Sequence, residues 1–110
     1  MYSKELIKGT LQPIILTLIN TRGRMYGYEI TQEVKKITSG KIDISEGALY
    51  PILHKLEANK MLKTEKVFHG KRLRKYYSTT FEGKEMVKTV GEQMNDFIAT
   101  LDLIFNPKTI

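Results

Sequence analysis

Apolar side chains recur along this chain first with the period of a helix, then with the period of a strand, then with a heptad spacing. Residues 3–8 read as a short leading turn or helix that ends near Gly9. Thr10 is expected to cap the next helix, where Pro13 is tolerated because first-turn N–H groups lack intrahelical partners. Leu11, Ile14, Ile15, Leu18 and Ile19 make that helix apolar nearly all round, so it belongs deep in a core. Asn20 to Arg24 reads as a turn. A second helix is expected over residues 26–37 with Ile30, Val34 and Ile37 inward. Gly27 at its start is either a cap or a point of close approach. Tyr26 and Tyr28 beside it are core edges or phosphate contacts, the core edge being preferred for Tyr28. Thr38 to Lys41 is a loop with Gly40 as C-cap, and Ile42 and Ile44 alternate as a short extended piece.

The stretch from Ile44 to Glu57 has two unlike faces. Leu49, Ile52, Leu53 and Leu56 stand at i, i+3, i+4 and i+7, the one-sided stripe of a helix lying on a core. Ser45 is the expected N-cap, and Glu46 puts a negative charge at the helix N-terminus. The other face carries Gly47, Ala48, Tyr50, Pro51, His54 and Lys55. Small residues, a phenol, an imidazole and an ammonium suit contact with a partner better than the Glu, Lys and Gln of an ordinary solvated face. Pro51 either distorts the first turn or marks where regular helix begins, near Tyr50; both leave the Gly47 carbonyl without its usual donor. Asn59 is expected to end the helix in the left-handed conformation.

Beyond it the period drops to two. Residues 62–68 and 73–79 read as strands of a hairpin with Gly70 at the tip. The last long helix is expected over residues 81–105, where Val87, Val90, Met94, Phe97, Leu101 and Ile104 are spaced 3, 4, 3, 4, 3. That is an a/d seam of nearly three heptads, best buried against a second copy of the chain.

Charge sharpens this picture. The formal net charge is +6, and residues 62–80 hold six basic side chains against the single Glu65. A hairpin that repels itself in this way is suited to a polyanion. The 110 residues form one small domain with a modest core, and the absence of cysteine removes disulfides and thiolate metal sites. No secretory signal or membrane span is recognisable, which makes the cytoplasm the expected compartment. His54 and His69 lack carboxylates or a second histidine at metal-ligand spacing. Phosphate-cradling glycine loops and nucleophile arrangements are missing too, so neither cofactor nor catalysis is expected.

Three helices followed by a basic hairpin are the plan of the winged helix-turn-helix. The fold class expected is therefore mainly α with a small β-hairpin: a winged helix-turn-helix domain over residues 1–80, a C-terminal dimerisation helix over 81–106, and a tail, 107–110. The third helix would enter the major groove through Ser45, Gly47, Ala48, Tyr50, Pro51, His54 and Lys55, with Tyr26 as a further DNA contact and Lys71 and Arg72 gripping the DNA backbone or the neighbouring minor groove.

In detail the residues resemble the PadR-type transcriptional regulators. The resemblance rests on Gly27-Tyr28-Glu29-Ile30, on Gly47-Ala48-Leu49-Tyr50-Pro51 with Leu56-Glu57, and on Arg74-Lys75-Tyr76-Tyr77 with Thr80 and Gly83. The short tail matches the branch with a single C-terminal helix. The resemblance implies a bacterial cytoplasmic homodimer, usually a repressor, that binds an inverted-repeat operator on double-stranded DNA and leaves it when a small molecule binds. Some relatives sense phenolic acids and others bind flat hydrophobic or cationic drugs. Departures are Tyr26 where the family often has His, Asn59 where it has Gly, and Thr79 where it has Leu or Ile. Tryptophan is absent, so an aromatic or hydrophobic effector would have to meet Met94, Phe97 and Phe105, residues that are more often simple dimer packing. The rival reading is a winged-helix module that binds an acidic protein partner.

Overall fold

A computed structural model describes residues 2–108; Met1 and the last two positions of the tail lie outside the described residues. The order of elements is α1 Lys4–Ile7, α2 Leu11–Arg22, β1 Met25–Tyr26, α3 Gly27–Ile37, α4 Glu46–Ala58, β2 Leu62–His69, β3 Arg72–Thr79 and α5 Phe81–Phe105. A 3₁₀ turn, Lys8–Thr10, joins α1 to α2. The strands form one antiparallel sheet in the order β1-β3-β2. This is the winged helix-turn-helix with a long C-terminal helix that the hydrophobic pattern predicts.

The core is where the helical stripes converge. Ile15, Leu16, Leu18 and Ile19 of α2 meet Ile30 and Val34 of α3, Leu49, Leu53 and Leu56 of α4, and Leu62 and Tyr77 of the hairpin. Leu49, Leu53 and Leu56 are at most 1 % exposed. Each such side chain stabilises the fold by roughly 1.5–3 kcal/mol through burial. Buried Thr79 donates from its hydroxyl to the Asn20 side-chain oxygen at 2.9 Å, which explains how a polar residue is accommodated there.

Several local expectations are corrected. Thr10 does not cap α2: its hydroxyl turns back to the Ile7 carbonyl at 2.7 Å, and its backbone is helical. Residues 20–22 remain in α2. Tyr26, expected to open the second helix, instead joins Met25 as β1, the two pairing with Tyr76 and Tyr77. Ile37 points outward, because α3 ends there and Thr31 joins Ile30 and Val34 on the buried side. Asn59 is not left-handed; Lys60 is, at φ +62°. The Lys60 and Met61 N–H groups then donate back to the Glu57 and Leu56 carbonyls, the paired bonds of a Schellman ending.

The junction to α5 is tight. Thr80 caps α5 by accepting from the Gly83 N–H at 3.0 Å, and its own hydroxyl donates to the Lys60 carbonyl at 2.6 Å. A side chain at Gly83 would place Cβ 2.1 Å from the Met61 carbonyl oxygen, so only glycine fits. From this anchor α5 runs outward, and the molecule extends 64 Å along its longest axis against 30 Å across.

Candidate nucleic-acid interface

Ser45 opens α4, its hydroxyl oxygen accepting from the Ala48 N–H at 3.2 Å. The helix is continuous from Glu46 to Ala58 with Pro51 inside it, so regular helix does not wait for Tyr50. Pro51 offers no N–H, and the Gly47 carbonyl one turn earlier lacks its i+4 donor. With Leu49, Leu53 and Leu56 held in the core, Ser45, Gly47, Ala48, Tyr50, Pro51, His54 and Lys55 all lie on the exposed side. Tyr50 and His54, four residues apart, have ring centroids 6.3 Å from each other.

Tyr50 also explains Gly27. A Cβ at Gly27 would come 2.4 Å from the Tyr50 hydroxyl, so α4 leans its phenol on the bare start of α3. Glycine here serves close approach, and the cap of α3 comes from the Glu29 carboxylate, which accepts from the Tyr26 N–H at 3.3 Å. Tyr26, Gly27, Tyr28 and Tyr50 form one wall of an open crevice of about 630 Å³, and Arg72, Leu73, Arg74, Lys75 and Tyr77 form the other. Tyr28 is exposed in this crevice and is not a core edge. Burial, the largest influence on it, pushes the Tyr77 hydroxyl above its ordinary value and keeps it neutral.

The wing is a two-residue hairpin. His69 pairs with Arg72, and Gly70 takes φ +65° at the first central position, where II′ loops require it. Its cations divide into two groups. Lys75 reaches the Glu57 carboxylate at 3.4 Å and lies over the Tyr77 ring, while Thr64 donates to the other Glu57 oxygen at 3.1 Å. Glu57 thus ties the end of α4 to both strands of the wing. Arg24 meets Glu65 at 3.3 Å and covers Tyr76; Arg74 covers Tyr26, which packs edge-on against Tyr76. Among the described residues Lys63, Lys66, Lys71 and Arg72 have no carboxylate within ion-pair distance. Of these unpaired cations Lys66, Lys71 and Arg72 lie on the outer half of the wing and Lys63 at its base, while Lys75 ties the wing to α4 and Arg74 packs on Tyr26 of β1. The strut of Glu57 and Lys75 went unread in the sequence, although both residues lie in motifs noted there.

In α5 the heptad seam divides. Val87 packs on the chain's own core, and Val90 lines a groove with Pro13, Leu16 and Met86. Helix α2, apolar nearly all round, is thus covered by the first turns of α5 as well as by α3 and α4. Met94 and Leu101 are half-buried along α5, and Phe97, Ile104 and Phe105 are exposed, Phe105 at 74 %.

This arrangement has relatives. The model of the transcriptional regulator PadR-like family matches residues 15–89. The chain belongs to that family. A protein of uncharacterised function from Lysinibacillus sphaericus is similar to this PadR-like chain at 33 % identity, over 94 % of each. A transcriptional regulator from Clostridium thermocellum superposes with a TM-score of 0.84 at 28 % identity, over 93 % of this chain and 99 % of that one. Bacillus subtilis PadR, solved in complex with operator DNA, shares the fold with a TM-score of 0.65 at 22 % identity. The match takes in 92 % of this PadR-like chain and 50 % of that longer one.

Proposed function

We propose that this PadR-like regulator is a homodimeric, sequence-specific DNA-binding repressor. The observation that carries the reading is the shared side of α4 and the wing. Tyr50, on the open face of α4 that also carries His54 and Lys55, lines the same crevice that Arg72 borders, while Lys71 and Arg72 stand at the wing tip with no carboxylate in ion-pair reach among the described residues. An α-helix fits the major groove, and a cationic hairpin beside it fits the flanking backbone or minor groove. Ser45 and Tyr50 then meet phosphate, and His54 and Lys55 lie nearer base edges. Tyr26, packed on Tyr76 and under Arg74, borders the same crevice as Tyr50 and would add a DNA contact there.

Dimerisation is supported by the apolar side chains that α5 leaves in water. Met94, Phe97, Leu101 and Ile104 continue the seam past the point where the body ends, and Phe105 extends it. Two-fold pairing through α5 sets two copies of α4 on an inverted repeat with half-site centres about 10 bp, or a multiple of that, apart. A small aromatic or hydrophobic effector would enter at Met94, Phe97 and Phe105, and releases DNA only if it binds the DNA-free arrangement better. Among the described residues no helix is long and apolar enough to cross a membrane, and we place the protein in the cytoplasm.

The test is a salt titration of binding to duplexes tiled across the region upstream of its own coding sequence, in excess nonspecific DNA. Replacing Lys71 and Arg72 by Ala weakens binding to all sequences and lowers the salt slope by roughly one to two units. An unchanged slope excludes the wing as the electrostatic contact. Binding only to acidic polypeptide in place of DNA establishes the protein-interaction module instead.

A further inference from the structure

The wing carries two residues that its charge does not explain. Phe68 on β2 and Leu73 on β3 are direct cross-strand partners one step from the turn, and they are 71 % and 51 % exposed. They share the sheet face that lower down holds Lys66 with Lys75, then Thr64 with Tyr77, and finally buried Leu62 and Thr79. The core-facing side of the hairpin thus runs on past the body and ends in an apolar pair. Contact between cross-strand partners contributes only ~0.2–1 kcal/mol. Most of both surfaces still faces water and adds nothing to the core. Leu73 also borders the crevice beside Tyr50, so the pair lies on the side from which α4 presents its open face.

The surroundings select the partner. Lys66, Lys71 and Arg72 flank the pair without carboxylates of their own among the described residues. Whatever covers Phe68 and Leu73 is anionic at its rims and apolar between them. The minor groove of DNA has that construction, with phosphates along its edges and deoxyribose C–H groups on its walls. Its floor is level over A·T pairs and carries the projecting guanine amino group over G·C pairs.

We propose that Phe68 and Leu73 form an uncharged grip that packs into the minor groove beside the major groove faced by α4. The inference rests on the DNA-binding reading of α4 and adds to it a contact with a distinct signature. Packing apolar side chains releases no counterions, so its share of the affinity persists as salt rises, unlike that of Lys71 and Arg72. It also gives the wing a preference for sites where the guanine amino group is absent.

The experiment compares the full chain with Phe68→Ser/Leu73→Ser, the apolar control Phe68→Leu/Leu73→Met, and the Lys71→Ala/Arg72→Ala variant. Each is titrated by fluorescence anisotropy against the upstream duplexes between about 50 and 200 mM salt. The same duplexes are repeated with inosine in place of guanine, which removes only the minor-groove amino group. The serine variant is expected to bind about tenfold more weakly at every salt concentration with an unchanged slope. The wild type and the apolar control bind the inosine duplexes more tightly than the guanine ones, and the serine variant loses that gain. The proposal is overturned if the serine variant binds like wild type, if its slope falls as in the alanine variant, or if its inosine preference persists. It is overturned equally if the apolar control is as weak as the serine variant. If wild type binds none of the duplexes, the DNA-binding reading itself fails, which is a different outcome from a wild type that binds and a serine variant that is unaffected.

Discussion

Helices α4 and α5 look alike in sequence and meet different fates. Both carry an apolar stripe at helical spacing and a polar remainder. In α4 the stripe is used up within the chain, with Leu49 and Leu53 fully buried and only the polar side left open. In α5 just the first turns are covered, by α2 and the core, and the farther seam stays in water. An amphipathic pattern therefore says that a helix needs a neighbour, without saying whether the same chain supplies it. The two helices also differ in what they leave free: α4 offers a phenol, an imidazole and an ammonium, and α5 offers Phe97, Ile98, Leu103, Ile104 and Phe105.

Substitutions separate these roles. Leu53→Ala opens a cavity beneath α4 and is expected to cost about 2–5 kcal/mol, lowering the denaturation midpoint of the whole domain in a urea titration. Leu101→Asp, on the seam of α5, should leave the winged domain folded by circular dichroism and shift sedimentation from dimer to monomer. A dimer that persists would assign the interface elsewhere.

Smaller effects come from the two glycine questions. Gly27→Ala drives the Tyr50 ring away from α3, and DNA affinity should fall severalfold while stability changes by about 1 kcal/mol or less. Equal affinity in an anisotropy titration would show that the placement of Tyr50 is irrelevant to binding. At the joint between α4 and α5, Lys60→Gly relieves a left-handed lysine and should raise stability by up to about 1 kcal/mol. Thermal melting at fixed protein concentration would show it as a small upward shift.

Much of the fold was legible because the core is built from long periodic runs. The stripe of α4 and the alternation of the hairpin each carry enough repeats to fix an element and its inward face. What escaped has little local signature. Met25 and Tyr26 form a strand only because Tyr77 and Tyr76 come to lie beside them. Ile37 is apolar yet stands where the helix has run out of core to cover. Asn59 and Lys60 differ by one position, and the backbone's choice of which turns left-handed is made by the bonds to Leu56 and Glu57. For the candidate interface, the residue types of α4 and the wing tip could be read directly. The division of the wing's cations into free and anchored groups could not, since Glu57 and Lys75 are eighteen positions apart. The fate of the α5 seam depended on the far side of α2, which no pattern in α5 itself reports.

The pairing of β1 with β3 has a consequence for how the chain is made. Met25, 2 % exposed in the finished fold, joins a strand partner that lies some fifty residues downstream. On the ribosome, α2, α3 and α4 emerge before that partner exists, and Met25 together with the side of α2 destined for α5 waits uncovered. Local helices form in about a microsecond, whereas synthesis adds roughly 5–20 residues per second. The nascent domain thus spends seconds as a set of helices without a closing edge. Completion of β3 is the moment at which the sheet can shut, and the wing, last to be made before α5, is also the latch of the folding reaction.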